Sequence, residues 1–117
     1  MKQYTLMMSC RDYFIIKNYL VELNQLGKFT NDAYMQRFYK AFAIDATLKL
    51  PRRSQKRFDE KSTVLFVLKE EPTLLSTVGL FCREHSMDQR VKNPELANAL
   101  NHLKDCIAAE LMDVLGL

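Results

Sequence analysis

Turn-forming residues are scarce in this chain: only three glycines, Gly27, Gly79 and Gly116, and three prolines interrupt 117 residues. That is too few for the many tight corners of a β-sandwich or barrel, and it fits long helices joined by short loops. Scattered glycines cannot build a phosphate-cradling loop, which removes the P-loop and dinucleotide-binding fingerprints. G-x-S-x-G, H-E-x-x-H and C-x-x-C are all missing. Three cysteines are an odd and sparse set, arguing against a disulfide framework and for a reducing, cytoplasmic setting. The longest apolar run, Val64 to Leu68, is far short of the roughly 20 residues that span a bilayer, so no membrane partner is expected. The opening nine residues carry one charge and too short an apolar segment for a secretory signal. No repeat or low-complexity tract is visible.

What is present is ordinary for a globular domain with a core: 48% hydrophobic residues, 26% charged, and a formal net charge of +3. Residues 1–117 are expected to form a single helical domain. The clearest signals lie at the end of the chain. Asn93 is a good N-cap, Pro94 suits the first helical position, and Glu95 places negative charge at the positive end of the helix dipole. Leu96, Leu100, Leu103, Ile107, Leu111 and Val114 follow at steps of three and four, one stripe of a helix. Ala108, Ala109, Met112 and Leu115 make its second half apolar on other faces, so this helix is expected to be wrapped by the others.

Ser9 with Asp12 resembles a capping box and starts a helix that Gly27 ends, with Ile16, Tyr19, Leu20, Leu23 and Leu26 inward. Thr30 is the next expected N-cap, with Phe29 packing on Tyr34 as a hydrophobic staple. That helix should carry Tyr34, Met35, Phe38, Phe42 and Ala46 inward and stop by Leu50, before Pro51. A third helix is expected from Pro51 or Ser54 to about Glu70. The β-branched and aromatic run Thr63–Leu68 also suits a strand, but Gln55 to Lys61 lacks alternation and no strong partner strand stands out. The alternation of Tyr4, Leu6 and Met8 reads as one weak strand. Pro72 opens a further helix with Leu74, Leu75, Val78, Phe81 and Cys82 inward, and Gly79 in its middle suggests a close backbone neighbour. The expected fold is therefore all-α, a bundle of about five helices packed around a central C-terminal helix.

Three constellations compete for a function. Cys82, His85, His102 and Cys106 sit at spacings that would let two helices close a tetrahedral zinc site, against which stands the reading of buried thiols and ordinary surface histidines. The segment Lys49–Lys61 holds Lys49, Arg52, Arg53, Lys56, Arg57 and Lys61 against Asp59 and Glu60. Arg53, Arg57 and Lys61 would form a like-charge ladder on a helix, fitting a phosphate or acidic-partner row that Arg83 and Arg90 could extend, or a plain solvated face. The aromatic second helix and the last helix offer interface candidates: Tyr34, Tyr39, Met112 and Leu115. Glu110 and Asp113 lie at the negative end of the last helix dipole, and a cation from this chain or another should answer them. The expected function is a non-enzymatic, cofactor-free protein-binding regulator, adaptor or inhibitor acting as a homodimer. The alternative is a nucleic-acid-binding protein using Arg52, Arg53, Lys56, Arg57 and Lys61, with a metal-binding protein third.

Overall fold

Alternating side chains at the two ends of a long loop set the frame. In a computed structural model of the protein, which describes residues 2–46, 48–49 and 63–115, strand β1 (Lys2–Ser9) pairs antiparallel with β3 (Thr63–Glu70), and β3 also pairs with the short β2 (Leu48–Lys49), in the order β1-β3-β2. The register sets Tyr4 opposite Leu68, Leu6 opposite Phe66 and Met8 opposite Val64, and all six are buried. Their neighbours Gln3, Thr5 and Met7 are exposed, the pattern of a sheet with one face on the core. The chain is therefore mixed α and β, not an all-α bundle of five helices. The expected helix at Pro51–Glu70 is overturned over 63–70, where β1 supplies the partner strand that neither segment reveals by itself.

Among the described residues four helices accompany the sheet: α1 (Cys10–Gln25), α2 (Ala33–Tyr39), which runs on into a π-helical turn at Lys40–Ile44, α3 (Pro72–Gln89) and α4 (Pro94–Leu115). The Ser9 hydroxyl accepts the Asp12 amide at 3.1 Å, so the strand passes into α1 through its cap. At the other end Gly27 takes a φ of 74°, and the amides of Gly27 and Lys28 return to the carbonyls of Asn24 and Leu23, the Schellman arrangement. Leu26, expected inward, is exposed because this reversal has already begun there. The cap of α2 is Asp32, whose carboxylate accepts the Met35 amide at 3.0 Å. Thr30 instead turns its hydroxyl back onto the Gly27 carbonyl. Phe29 packs on Tyr39 and Phe81, not on Tyr34, and the second helix ends at Ile44 because the Asp45 amide bonds five residues back to Lys40, after which the chain turns to pair with β3.

The centre of the core is aromatic. The Phe42 ring lies 4.7 Å from Tyr13, 5.2 Å from Phe38 and 5.1 Å from Phe66, and the Tyr13 hydroxyl donates to the Phe42 carbonyl at 2.6 Å. Helix α4 sits to one side, packed mainly on α3 and also on α1 and β1. Its cap is the one expected, the Asn93 side chain accepting the Leu96 amide at 3.2 Å. Leu96, Leu100, Leu103 and Ile107 are buried, with Ala97 and Ala99 beside them, but Ala108, Ala109 and Met112 are exposed, so the described part of this helix is buried along one side and is not enclosed by the others. Among the described residues no ion pair reaches Glu110 or Asp113, and no helix is long and apolar enough to cross a membrane.

Gly79 faces α4, where a side chain and not a backbone approaches: a Cβ built there would lie 3.5 Å from Ile107 Cγ2, an ordinary contact. Its backbone is helical, so Gly79→Ala should raise the unfolding free energy by about 0.5–1 kcal/mol through helix propensity. Urea unfolding of the two proteins measures this, and a loss of stability would mean the α3–α4 seam is tighter than the 3.5 Å contact implies.

Candidate functional site

The residues singled out from the sequence end up in different places. Arg52, Arg53, Lys56, Arg57 and Lys61 lie outside the described residues. Cys82, His85, His102 and Cys106 are not gathered: Cys82 is fully buried, His85 bonds to Tyr19, His102 pairs with Asp12 at 2.7 Å, and the Cys106 thiol donates to the Met7 carbonyl at 3.0 Å. Among the described residues no three His, Cys, Asp or Glu side chains are grouped to hold a metal. Burial pushes the Cys82 thiol up to about 12, so it stays protonated and behaves as a small hydrophobe. Tyr34 and Tyr39 are half-buried, the first under the Arg37 guanidinium and the second against Phe29, while Met112 is 51% exposed. The side chain of Leu115 lies outside the description.

Two features that the residue pattern did not single out lie together on α3. Leu74, Leu75, Val78, Cys82 and Ser86 are buried on one side of the helix. On the opposite side of the helix Leu80, Glu84 and Met87 recur at steps of four and three, and Val91 follows in the turn after α3; the apolar side chains of Leu80, Met87 and Val91 are 54%, 59% and 90% exposed. That spacing was readable from the sequence, but a search for the core stops at the first stripe it finds.

Beside this stripe, a groove of about 430 Å³ opens between α3 and the turn that joins α1 to α2. Its apolar wall is Leu23, Phe29, Met35 and Phe81, and its rim carries Lys28, Asp32, Leu80 and Glu84. The turn is held by the Gly27 reversal and by the Gln36 amide, which donates to the carbonyls of Phe29 and Thr30 at 2.7 and 2.9 Å. His85 closes one end. Its ring lies 4.0 Å from the Phe81 ring at 32°, and Nδ1 is 2.5 Å from the Tyr19 hydroxyl of α1. Burial lowers the pKa of His85, against the opposing pull of Asp88 and Glu84, and raises that of Tyr19, which the Gln89 amide counters. Both groups are therefore neutral at pH 7, and they tie α1 to α3 beside the groove.

A histidine held below its ordinary value near 6.5 takes up its proton later in the folded chain than in the unfolded one. Its contribution is therefore intact above that value and is lost as the pH falls from there through the folded pKa. Unfolding midpoints in urea should decline from pH 7 to pH 5, and His85→Phe should flatten part of that decline. Equal slopes in both proteins would count against it.

The chain matches no protein-family model, no curated protein and no solved structure.

Proposed function

We propose that this chain is a small, non-enzymatic protein-binding regulator, adaptor or inhibitor that engages its partners, a second copy of itself included, through helical surface. The observation that carries the reading is the exposed apolar row formed by Leu80 and Met87 on the side of α3 away from the core and by Val91 in the turn after it. Burying a side chain of this kind fully contributes about 1.5–3 kcal/mol, so a partner covering three of them gains enough for a specific contact. A face of one helix is self-complementary about a two-fold axis, which is how most homodimers form. The sequence adds no phosphate loop, nucleophile motif or metal-ligand spacing of a known catalytic class to argue for chemistry.

The replacement Met87→Glu with Val91→Glu alters only exposed side chains and should leave the fold intact. Native protein should then recover partners from its own cell extract that the double variant does not, and light scattering at micromolar concentration should give twice the chain mass for the native protein and a single chain for the variant. The same recovered proteins with both forms, together with a single-chain mass at every dilution, would overturn the reading.

A second reading, nucleic-acid binding, is favoured by charge distribution. The segment Lys49–Lys61 has six basic and two acidic residues, a surplus of four that exceeds the +3 of the whole chain. If it contacts phosphates, duplex DNA should bind at about 50 mM salt, weaken steeply by about 200 mM, and be lost with Arg53→Glu and Arg57→Glu together. An unchanged DNA mobility at micromolar protein removes this reading.

A further inference from the structure

The groove beside the α3 stripe has a polar end whose chemistry identifies what it would hold. Tyr19 has one hydroxyl hydrogen. Its oxygen lies 2.5 Å from His85 Nδ1, and a hydroxyl that donates there makes this nitrogen the acceptor. A neutral imidazole that accepts at Nδ1 carries its own hydrogen on Nε2. His85 lines the groove and Tyr19 does not. No described residue accepts a hydrogen bond from Nε2, and this nitrogen is not among the buried polar atoms left without a partner, so it is within reach of solvent. The groove thus offers an imidazole whose Nε2 has no described partner, an aromatic and methionine wall, and two carboxylates, Asp32 and Glu84, against one ammonium, Lys28.

We propose that this groove is a peptide-binding site that takes an aromatic side chain of a partner protein, with a backbone carbonyl of that segment on His85 Nε2–H and an adjacent Lys or Arg on Glu84. The proposal rests on the protein-binding reading above and names the chemistry of the partner. An aromatic ring suits the wall because Phe29 and Phe81 offer ring edges and faces and Met35 a sulfur, contacts that favour an aromatic guest over an aliphatic one. The net negative rim disfavours an acidic neighbour. A carboxylate ligand would meet the donor but face Glu84 and Asp32, whereas a neutral peptide carbonyl meets it with no such repulsion. The wall is anchored before any partner arrives: Leu23, Phe29 and Met35 are all buried, so little side-chain ordering remains to be done on binding.

The test uses the full chain, labelled with ¹⁵N, and three blocked peptides: Ac-Lys-Phe-Lys-NH2, Ac-Glu-Phe-Glu-NH2 and Ac-Lys-Ala-Lys-NH2. Long-range ¹H–¹⁵N spectra of the free protein should show His85 protonated at Nε2. The Lys-Phe-Lys peptide should saturate shifts at Thr77, Leu80, Phe81, Glu84 and the His85 ring. The acidic and alanine peptides should each bind at least about tenfold more weakly, a difference of about 1.4 kcal/mol. His85→Phe keeps an aromatic ring against Phe81 but has no donor, and should weaken the first peptide several-fold with its folded spectrum retained. Glu84→Lys, at an exposed position, should reverse the preference between basic and acidic peptides. A hydrogen found on Nδ1, equal binding of all three peptides, or full affinity in folded His85→Phe would each overturn the proposal. Met87→Glu with Val91→Glu separates the two readings: peptide binding that survives it while partner recovery is lost supports the groove as a distinct element. Partner recovery that depends on the α3 stripe, with no peptide binding in the native chain, sinks the groove alone.

Discussion

The pairing of β1 with β3 is the contact on which the other positions depend. The eight residue pairs from Lys2 with Glu70 to Ser9 with Thr63 close a loop of more than fifty residues, and closing such a loop costs entropy that local structure cannot return. What offsets it is the buried face, where Tyr4, Leu6 and Met8 meet Val64, Phe66 and Leu68 and the aromatic group around Phe42 lies across them. A slip by one residue would turn Thr5 and Met7 inward and take three buried side chains out, so the register is strongly specified.

From that pairing the helices follow by short connections. Ser9 ends β1 and caps α1, and Glu70 ends β3 with only Glu71 before Pro72 opens α3. The starts of α1 and α3 are therefore set by the two strands of one ladder, β1 at the edge of the sheet and β3 at its centre. Arg37 of α2 ion-pairs with Glu70 at the end of β3, which brings the α1–α2 turn back toward the start of α3. The groove lies in the gap this leaves, with His85 in its lining bonded to Tyr19 of α1. A register error in the sheet would therefore reach the groove as well as the core.

The parts of this arrangement that could be read from the residues are the local ones. Ser9, Gly27, Pro72 and Asn93 act as the caps and helix starts that their chemistry predicts, because a cap is decided by atoms three or four residues apart. The buried stripes of α1, α3 and α4 were legible for the same reason. The strands were not: Tyr4–Met8 alone is a weak alternation, Thr63–Leu68 alone is as apolar as a buried helix, and each lacked a visible partner only because the partner was the other. The Thr30 cap failed because Thr30 and Asp32 are both good caps and the tertiary packing of Phe29 on Phe81 chose between them. The histidine of the groove was noticed for its spacing from Cys82, yet its nearest polar partner is Tyr19, sixty-six residues away.

The location of the unpartnered apolar surface also moves from α4 to α3 for a reason of area. The far side of α4 is Ala108 and Ala109 with Met112, and alanine side chains add little apolar surface for a partner to cover. The far side of α3 presents Leu80 and Met87, and the turn after it Val91, all larger than alanine, and Leu80 also lines the groove. Helix α4 has a polar remainder as well, with Asn98, His102 and Asp105 exposed along it. A helix whose outer face is small and polar needs no cover, whereas one with leucine, methionine and valine in water gains from acquiring it. Beyond its buried side, then, the described part of the last helix exposes alanines and one methionine, whereas α3 and the turn after it expose a leucine, a methionine and a valine.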